Sequence, residues 1–213
     1  MSGLVAWYDA SQITGKADSD AVSSWADSSG NGHTASQATG SKQPLYKTNI
    51  LNGFPVLRFD GIDDFMSVSS MGALTNHSVF VVAKDSAEDW GVLGGPTGNP
   101  QIRRGYFGND KLSFKDSVSD NTAPSTTLHV AQGNWSLMEW VFVGTTCFYY
   151  QNGVAHGTGA YSGTMPAEAY GTLGGLFTGS GTLTGDFAEI FYGSDTSCRV
   201  TAERYVQRKY ALF

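Results

Sequence analysis

The chain has 213 residues, a net charge of −6 at neutral pH, 27 glycines, 15% charged residues and 13% aromatic ones. Its adjacent basic residues are confined to Arg103-Arg104 and Arg208-Lys209, so no continuous cationic face exists to neutralise phosphates, and nucleic acid is excluded as a partner class. No apolar run approaches the roughly 20 residues that span a bilayer, which excludes membrane insertion through a helix.

Abundant glycine, sparse charge and many rings predict an all-β chain of short strands and tight turns, folded as a single domain over 1–213. The opening MSGLVAWYDAS carries neither the basic nor the apolar region of a secretory signal, and no signal peptide is expected. LVAWYDA (4–10) reads as the first strand, and a short helical turn is expected near DAVSSW (20–25). DSSGNGHTASQ (27–37) follows, alternating acidic and amide side chains with small residues. Asp27-x-Ser29-x-Asn31-Gly32 copies the first half of an EF-hand loop, yet the twelfth position, which needs a bidentate carboxylate, is Ala38. An EF-hand is therefore rejected, and the first expectation is a corner in which Asp27 bonds its own turn.

Further strands are read at PVLRFDG (55–61), FMSVSS (65–70), SVFVVAK (78–84), KLSFKDS (111–117), LMEWVFVG (137–144), TCFYYQ (146–151) and FAEIFYG (187–193). PVLRFDG alternates with period 2, as a half-buried strand does, whereas SVFVVAK is apolar in both phases and should be covered on both faces. DSVSDNTAPSTT (116–127) reads as one exposed loop. Asn152-Gly153 joins TCFYYQ to VAHG as a type I′ hairpin, and Asn31-Gly32 and Asn52-Gly53 are expected to be corners too. VTAERYVQRKYALF reads as a C-terminal helix capped by Thr201, with Val200 stapled onto Tyr205. Its stripe of Ala202, Val206, Tyr210 and Phe213 should pack on the strands. Trp7, Trp25 and Trp140 are expected in the core, the four histidines in loops or at strand edges, and Cys147 and Cys198 as two free thiols.

LVAWYDAS, WADSSGNGHTASQ, NGFPVLRFDGIDDFMSV and SVFVVAK, in this order, resemble the first half of a laminin-G-like domain of the concanavalin A-like lectin/glucanase superfamily. WSLMEWVFVGTTCFYYQNGVAHG and GDFAEIFYGSDTSCRVTAERYVQRKYALF resemble its second half, and the likeness covers nearly the whole chain, more loosely through 86–132. The resemblance implies a jelly-roll β-sandwich of two antiparallel sheets with adjacent terminal strands and a short C-terminal helix. It also implies a candidate calcium site, for which Asp27, Asn31 and Asp60 are the available ligands, although Ala188 stands where the family pattern has an aspartate. No other cofactor is expected.

The glucanase branch uses Glu-x-Asp-x-x-Glu on one strand, and no two glutamates here share that spacing. There is no Gly-x-Ser-x-Gly elbow and no histidine pair spaced for zinc, so no catalytic residue is assigned. Sugar sites use exposed rings with a few polar groups beside them. Trp90, Tyr106, Trp135 and Tyr161 lie in glycine-rich or polar stretches and are the candidate ligand-binding rings, with Arg103 and Arg104 beside Tyr106 suited to an acidic sugar. The reading is a non-enzymatic module for surface glycans, displayed on a phage virion as a tail adhesin or capsid decoration. The rival readings are a structural decoration protein docking on other virion subunits and a polysaccharide-active enzyme of the same fold.

Overall fold

A computed structural model of the chain describes residues 3–69, 71–72, 74–85, 90–95, 100–104, 111–115, 120–122, 131, 133–160, 171–176 and 182–213. Its strands are β1 (Leu4–Asp9), β2 (Ser24–Trp25), β3 (Ala35–Ser36), β4 (Leu45–Leu51), β5 (Phe54–Asp60), β6 (Met66–Ser67), β7 (His77–Asp85) and β8 (Trp90–Gly94). They continue as β9 (Gln101–Arg104), β10 (Leu112–Lys115), β11 (Asp120–Thr122), β12 (Ser136–Val143), β13 (Thr146–Gln151), β14 (Val154–Ala160), β15 (Thr172–Leu173) and β16 (Thr184–Gly193), before helix α1 (Arg199–Tyr210).

Pairing is antiparallel throughout and sorts the strands into the two sheets of a jelly-roll sandwich. The first sheet runs β14-β13-β12-β7-β16-β5-β4, with β1 also on β16; the second runs β11-β10-β9-β8-β15-β6-β3-β2. The terminal strands are adjacent, Leu4 opposite Gly193 and Asp9 opposite Glu189.

Side chains alternate along each strand, so the first sheet feeds two cores. Val79, Val81 and Ala83 of β7 and Met138, Trp140 and Phe142 of β12 face the second sheet. Phe80, Val82, Leu137, Val141, Ala188 and Phe191 point the other way and are covered by Ala202, Val206 and Tyr210 of α1. This explains why β7 is apolar in both phases: it is central, and both its faces are buried.

The hairpin at Asn152-Gly153 has both residues at positive φ, 51° and 77°, as does the corner at Asn52-Gly53. At the first corner it is Gly30 and Gly32, rather than Asn31, that take positive φ. Trp25 and Trp140 are core, Trp7 is half-buried in the second core, and both cysteines are buried and free. His77 departs from expectation: it is buried at the start of β7 and stacked on Phe142 at 4.1 Å, and burial lowers its pKa to about 3, so it is neutral.

Several expectations are corrected. Residues 20–25 form no helical turn: Ala21 bridges to Leu45, Val22 is buried and β2 follows. The cap of α1 is Cys198 with no side-chain bond, so Thr201 lies inside the first turn. Val200 is 45% exposed and staples nothing, because Tyr205 packs on Trp7 and Phe191 instead; Phe213 is exposed as well. β11 falls inside the segment read as a loop, and 116–119 and 123–127 lie outside the described residues. β3, β4, β8, β9 and β15 were not legible as strands. β4 carries Lys47, Thr48 and a left-handed Asn49, and β9 is four residues with two arginines.

Arg104 shares the inner face of β9 with Ile102 and meets Asp85 of β7 at 2.8 Å, both buried. Breaking one side of a buried ion pair strands the other charge, which typically costs about 3–5 kcal/mol. Arg104→Met should lower stability by that order in urea unfolding. Adding Asp85→Leu to it should recover much of the loss, because a buried pair exchanged for apolar groups is close to neutral.

Candidate functional site

The first sheet folds α1 onto its outer face, and the chemistry-bearing side chains gather around that helix. A register shift between Phe187 and Glu189 of β16 lets Ala188 and Glu189, neighbours in sequence, both face α1. Glu189 is fully buried there. Its Oε1 accepts from Trp7 Nε1 at 2.6 Å and from Tyr205 Oη at 3.0 Å. Its Oε2 accepts from Tyr210 Oη at 2.7 Å and from Lys209 Nζ at 3.1 Å. Lys209 also reaches Asp9 at 2.7 Å. Burial, then the charge of Asp9, raises the Glu189 pKa, while Lys209 and the Tyr210 and Trp7 donors pull it back. Burial, and then the same carboxylate, raise the Tyr205 and Tyr210 hydroxyls, which remain donors.

A second buried carboxyl lies under the first turn of α1. Glu139 of β12 is fully buried, accepts from the Gly153 N–H at 2.9 Å and stands 3.9 Å from Arg199. Arg199 pairs with Glu203 and lies over the Tyr150 ring at 4.2 Å. Burial pushes the Glu139 pKa up to about 8, and the charge of Glu203 and a hydrogen bond with its carboxyl add to the rise, against the pull of Gly153 and Arg199. A pKa of about 8 favours the protonated form of Glu139 at neutral pH.

The outer side of α1 is open. Thr201, Arg204, Tyr205, Arg208 and Lys209 line a groove of about 580 Å³. Tyr205 is half-buried, its ring perpendicular to both Trp7 and Phe191 and its hydroxyl tied to Glu189. Arg204 and Arg208 are exposed and meet no carboxylate among the described residues. A smaller recess of about 310 Å³ lies over Arg58, Phe59, Thr184 and Asp186 at the uncovered end of the same sheet face. Of its three charged groups, Arg58 is joined to Asp186 through two bonds of 2.7 and 2.8 Å, and Lys84 lines the recess beside them.

The metal candidates resolve into turns. Asp27 Oδ1 accepts from the N–H of Trp7 and Ser29, and Oδ2 from the Ser29 hydroxyl and the His33 N–H. Burial would raise its pKa, but these donors outweigh it and hold the carboxyl below its ordinary value. The Asn31 amide donates to the carbonyls of Leu4 and Val5. This set ties the corner to β1. Asp60 gathers with Asp63 and Asp64 rather than with Asp27, and accepts from the N–H of Ile62 and Asp63 in an Asx turn. Asp64 accepts from the Asp60 N–H; burial first, then Asp60 and Asp63, raise its pKa to about 6. Ala188, at the position where the family pattern has aspartate, is buried under α1.

The expected ligand-binding residues do not assemble into a described site. Arg103 and Arg104 are buried, not surface groups: Arg103 donates to Gln101, and Arg104 is the core ion pair. Trp135 is half-buried against the second core. Tyr106, Tyr161 and the side chain of Trp90 lie outside the described residues. Sequence reading missed Thr201, Arg204, Tyr205 and Arg208. Their signal was the i, i+3, i+4, i+7 spacing of one helix face, seen from its polar side.

No protein-family model matches the chain, and no curated protein does so significantly. Solved structures do. Domain 4 of the extracellular GH43 arabinanase AbnA from Geobacillus stearothermophilus, solved with arabinotriose, is 18% identical, with a TM-score of 0.67 over 94% of this chain and 98% of that one. Trypanosoma rangeli sialidase with sialic acid is 13% identical, with a TM-score of 0.63 over 99% of this chain; the chain spans about a third (34%) of the sialidase. A GH54 α-L-arabinofuranosidase is 12% identical, with a TM-score of 0.62 over 95% of this chain and 62% of that one. At these identities the likeness is one of fold, a β-sandwich of the concanavalin-like, jelly-roll type.

The Glu139 pKa of about 8 lies above its ordinary 4.5, so the folded state holds an extra proton between those values. Its contribution to stability is full below about pH 4.5 and declines as pH rises to about 8. Glu139→Gln keeps an acceptor for Gly153 and removes the titration. Urea unfolding across that range should show a shallower fall in the variant and a stability above wild type at the alkaline end; parallel curves would contradict the raised pKa.

Proposed function

We propose that the chain is a laminin-G-like, non-catalytic module that binds surface glycans through the groove along α1. One observation carries the reading: an aromatic ring held by a buried hydrogen bond, a hydroxyl and two arginines line the same groove of about 580 Å³. Rings that meet sugar C–H groups, with a few polar groups fixing orientation, are the general make-up of such sites. The laminin-G-like assignment is supported by the order of the sequence motifs and by the adjacent terminal strands. The arabinotriose held by the structurally similar arabinanase domain supports a saccharide as ligand class. Display on a virion rests on the sequence reading alone.

The non-catalytic part rests on the carboxylates. A glycosidase pair stands about 5–10 Å apart across the scissile bond. Glu139 is fully buried beneath α1 and accepts from the Gly153 N–H, so no sugar reaches it. Glu189 is enclosed by Trp7, Tyr205, Lys209 and Tyr210.

A glycan array run with calcium and again with EDTA should give the same hits in both conditions, and the hits should gain no new reducing ends on incubation with the protein. Titrating a hit into ¹⁵N-labelled protein should shift amide resonances between Thr201 and Lys209. An array without hits would overturn the glycan reading, and shifts confined to other residues would overturn the groove.

A further inference from the structure

We infer that the α1 groove is an oxyanion subsite, and that the saccharide it takes carries a carboxylate or sulfate bound between Arg204 and Arg208. The inference rests on the glycan reading above and narrows its ligand class.

The argument begins with the distribution of charge. The chain has 13 basic residues against 19 acidic ones, and several of the described cations pair with carboxylates. Lys47 pairs with Asp18, Arg58 with Asp186, Arg104 with Asp85, Arg199 with Glu203, and Lys209 with Asp9 and Glu189. In an acidic protein an arginine finds a carboxylate easily. Arg204 and Arg208 have none among the described residues, and both line the groove of about 580 Å³.

Placement on the helix adds to this. Residues four apart lie on one face with their Cβ atoms about 5–6 Å apart, so both guanidinium groups can reach one anion. A cation in the last turn complements the helix dipole, which accounts for Arg208 without any ligand. It does not account for Arg204, which sits mid-helix. Lys209 supplies little free charge, being held by Asp9 and Glu189, so the anion is read by the two arginines. A guanidinium presents paired N–H donors that match the oxygens of carboxylate or sulfate. Beneath them Tyr205 cannot swing away, because its hydroxyl is tied to Glu189 and its ring packs on Trp7 and Phe191. The groove therefore couples an apolar floor to a cationic wall, which suits a charged sugar better than a free ion.

Isothermal titration of the full chain tests this with paired probes: tetragalacturonate against its methyl ester for a carboxylate, and sulfated dextran fragments against plain dextran for a sulfate. At least one charged probe should bind more tightly than its neutral partner. Arg204→Gln with Arg208→Gln should weaken that binding by about tenfold or more, as loss of charge-assisted hydrogen bonds does. Lys84→Gln, which removes a cation away from α1, serves as a charge control and should change it less than about twofold. Unchanged thermal unfolding in the double variant confirms that its fold is intact, since both side chains are exposed.

Equal binding of charged and neutral probes, or equal losses in the double variant and the Lys84 control, would overturn the oxyanion subsite. Neutral hits on the array with no binding of either charged probe would do the same while leaving the glycan reading in place. No binding of any saccharide would remove both.

Discussion

Glu189 is a carboxylate with no exposure to water, and its place under α1 is the constraint from which the rest of the outer face follows. An isolated buried charge is strongly unfavourable unless it is paired and hydrogen-bonded. Here four donors close around it: one from β1, through Trp7, and three from α1, through Tyr205, Lys209 and Tyr210. These donors come from the two ends of the chain. The first strand, the last strand and the helix must therefore be in place together before the charge is satisfied. Such a polar hub fixes where the helix sits along the sheet, a position that interchangeable apolar contacts specify less sharply.

The same hub shapes the groove. Tyr205 bonds Glu189 with its hydroxyl and so holds its ring edge-on against Trp7 and Phe191. A ring fixed before a ligand arrives loses little conformational freedom on binding, which is the advantage of a preorganised site. Lys209 is drawn inward by Asp9 and Glu189, and this leaves Arg204 and Arg208 as the outward cations. Glu139 does comparable work at the other end of the helix, where the Gly153 N–H and Arg199 stand beside it.

Much of the sandwich was legible because burial writes itself into periodicity. β7 announced its two covered faces by being apolar in both phases, and the hairpin at Asn152-Gly153 announced its turn by residues that tolerate positive φ. The missed strands share one physical reason: their burial comes from neighbours distant in sequence. β9 reads as Gln-Ile-Arg-Arg, and nothing local shows that Asp85 lies opposite to accept Arg104. The two arginines of the candidate site were hidden for the same cause. Arg103 and Arg104 look like surface charges until the partners appear, and Glu189 sits where a register shift breaks the alternation that would have placed it. The stripe of α1 was found at Ala202, Val206 and Tyr210, yet the significance of the opposite side depends on which arginines the fold leaves without carboxylates.

That dependence bears on what the buried glutamates of this sandwich do. A hydrolytic pair needs its carboxyls held apart, facing one opening and tuned to different pKa values. Both buried glutamates here have raised pKa values, and burial alone suffices to raise them. A perturbed pKa marks desolvation, and desolvation by a packed helix is a structural event as readily as a functional one. What separates the two is access. Glu139 and Glu189 are roofed by α1, while the groove along the helix is open and lined by Thr201, Arg204, Tyr205, Arg208 and Lys209. The helix thus divides the outer face into a closed polar layer that holds the fold and an open layer that carries Arg204 and Arg208.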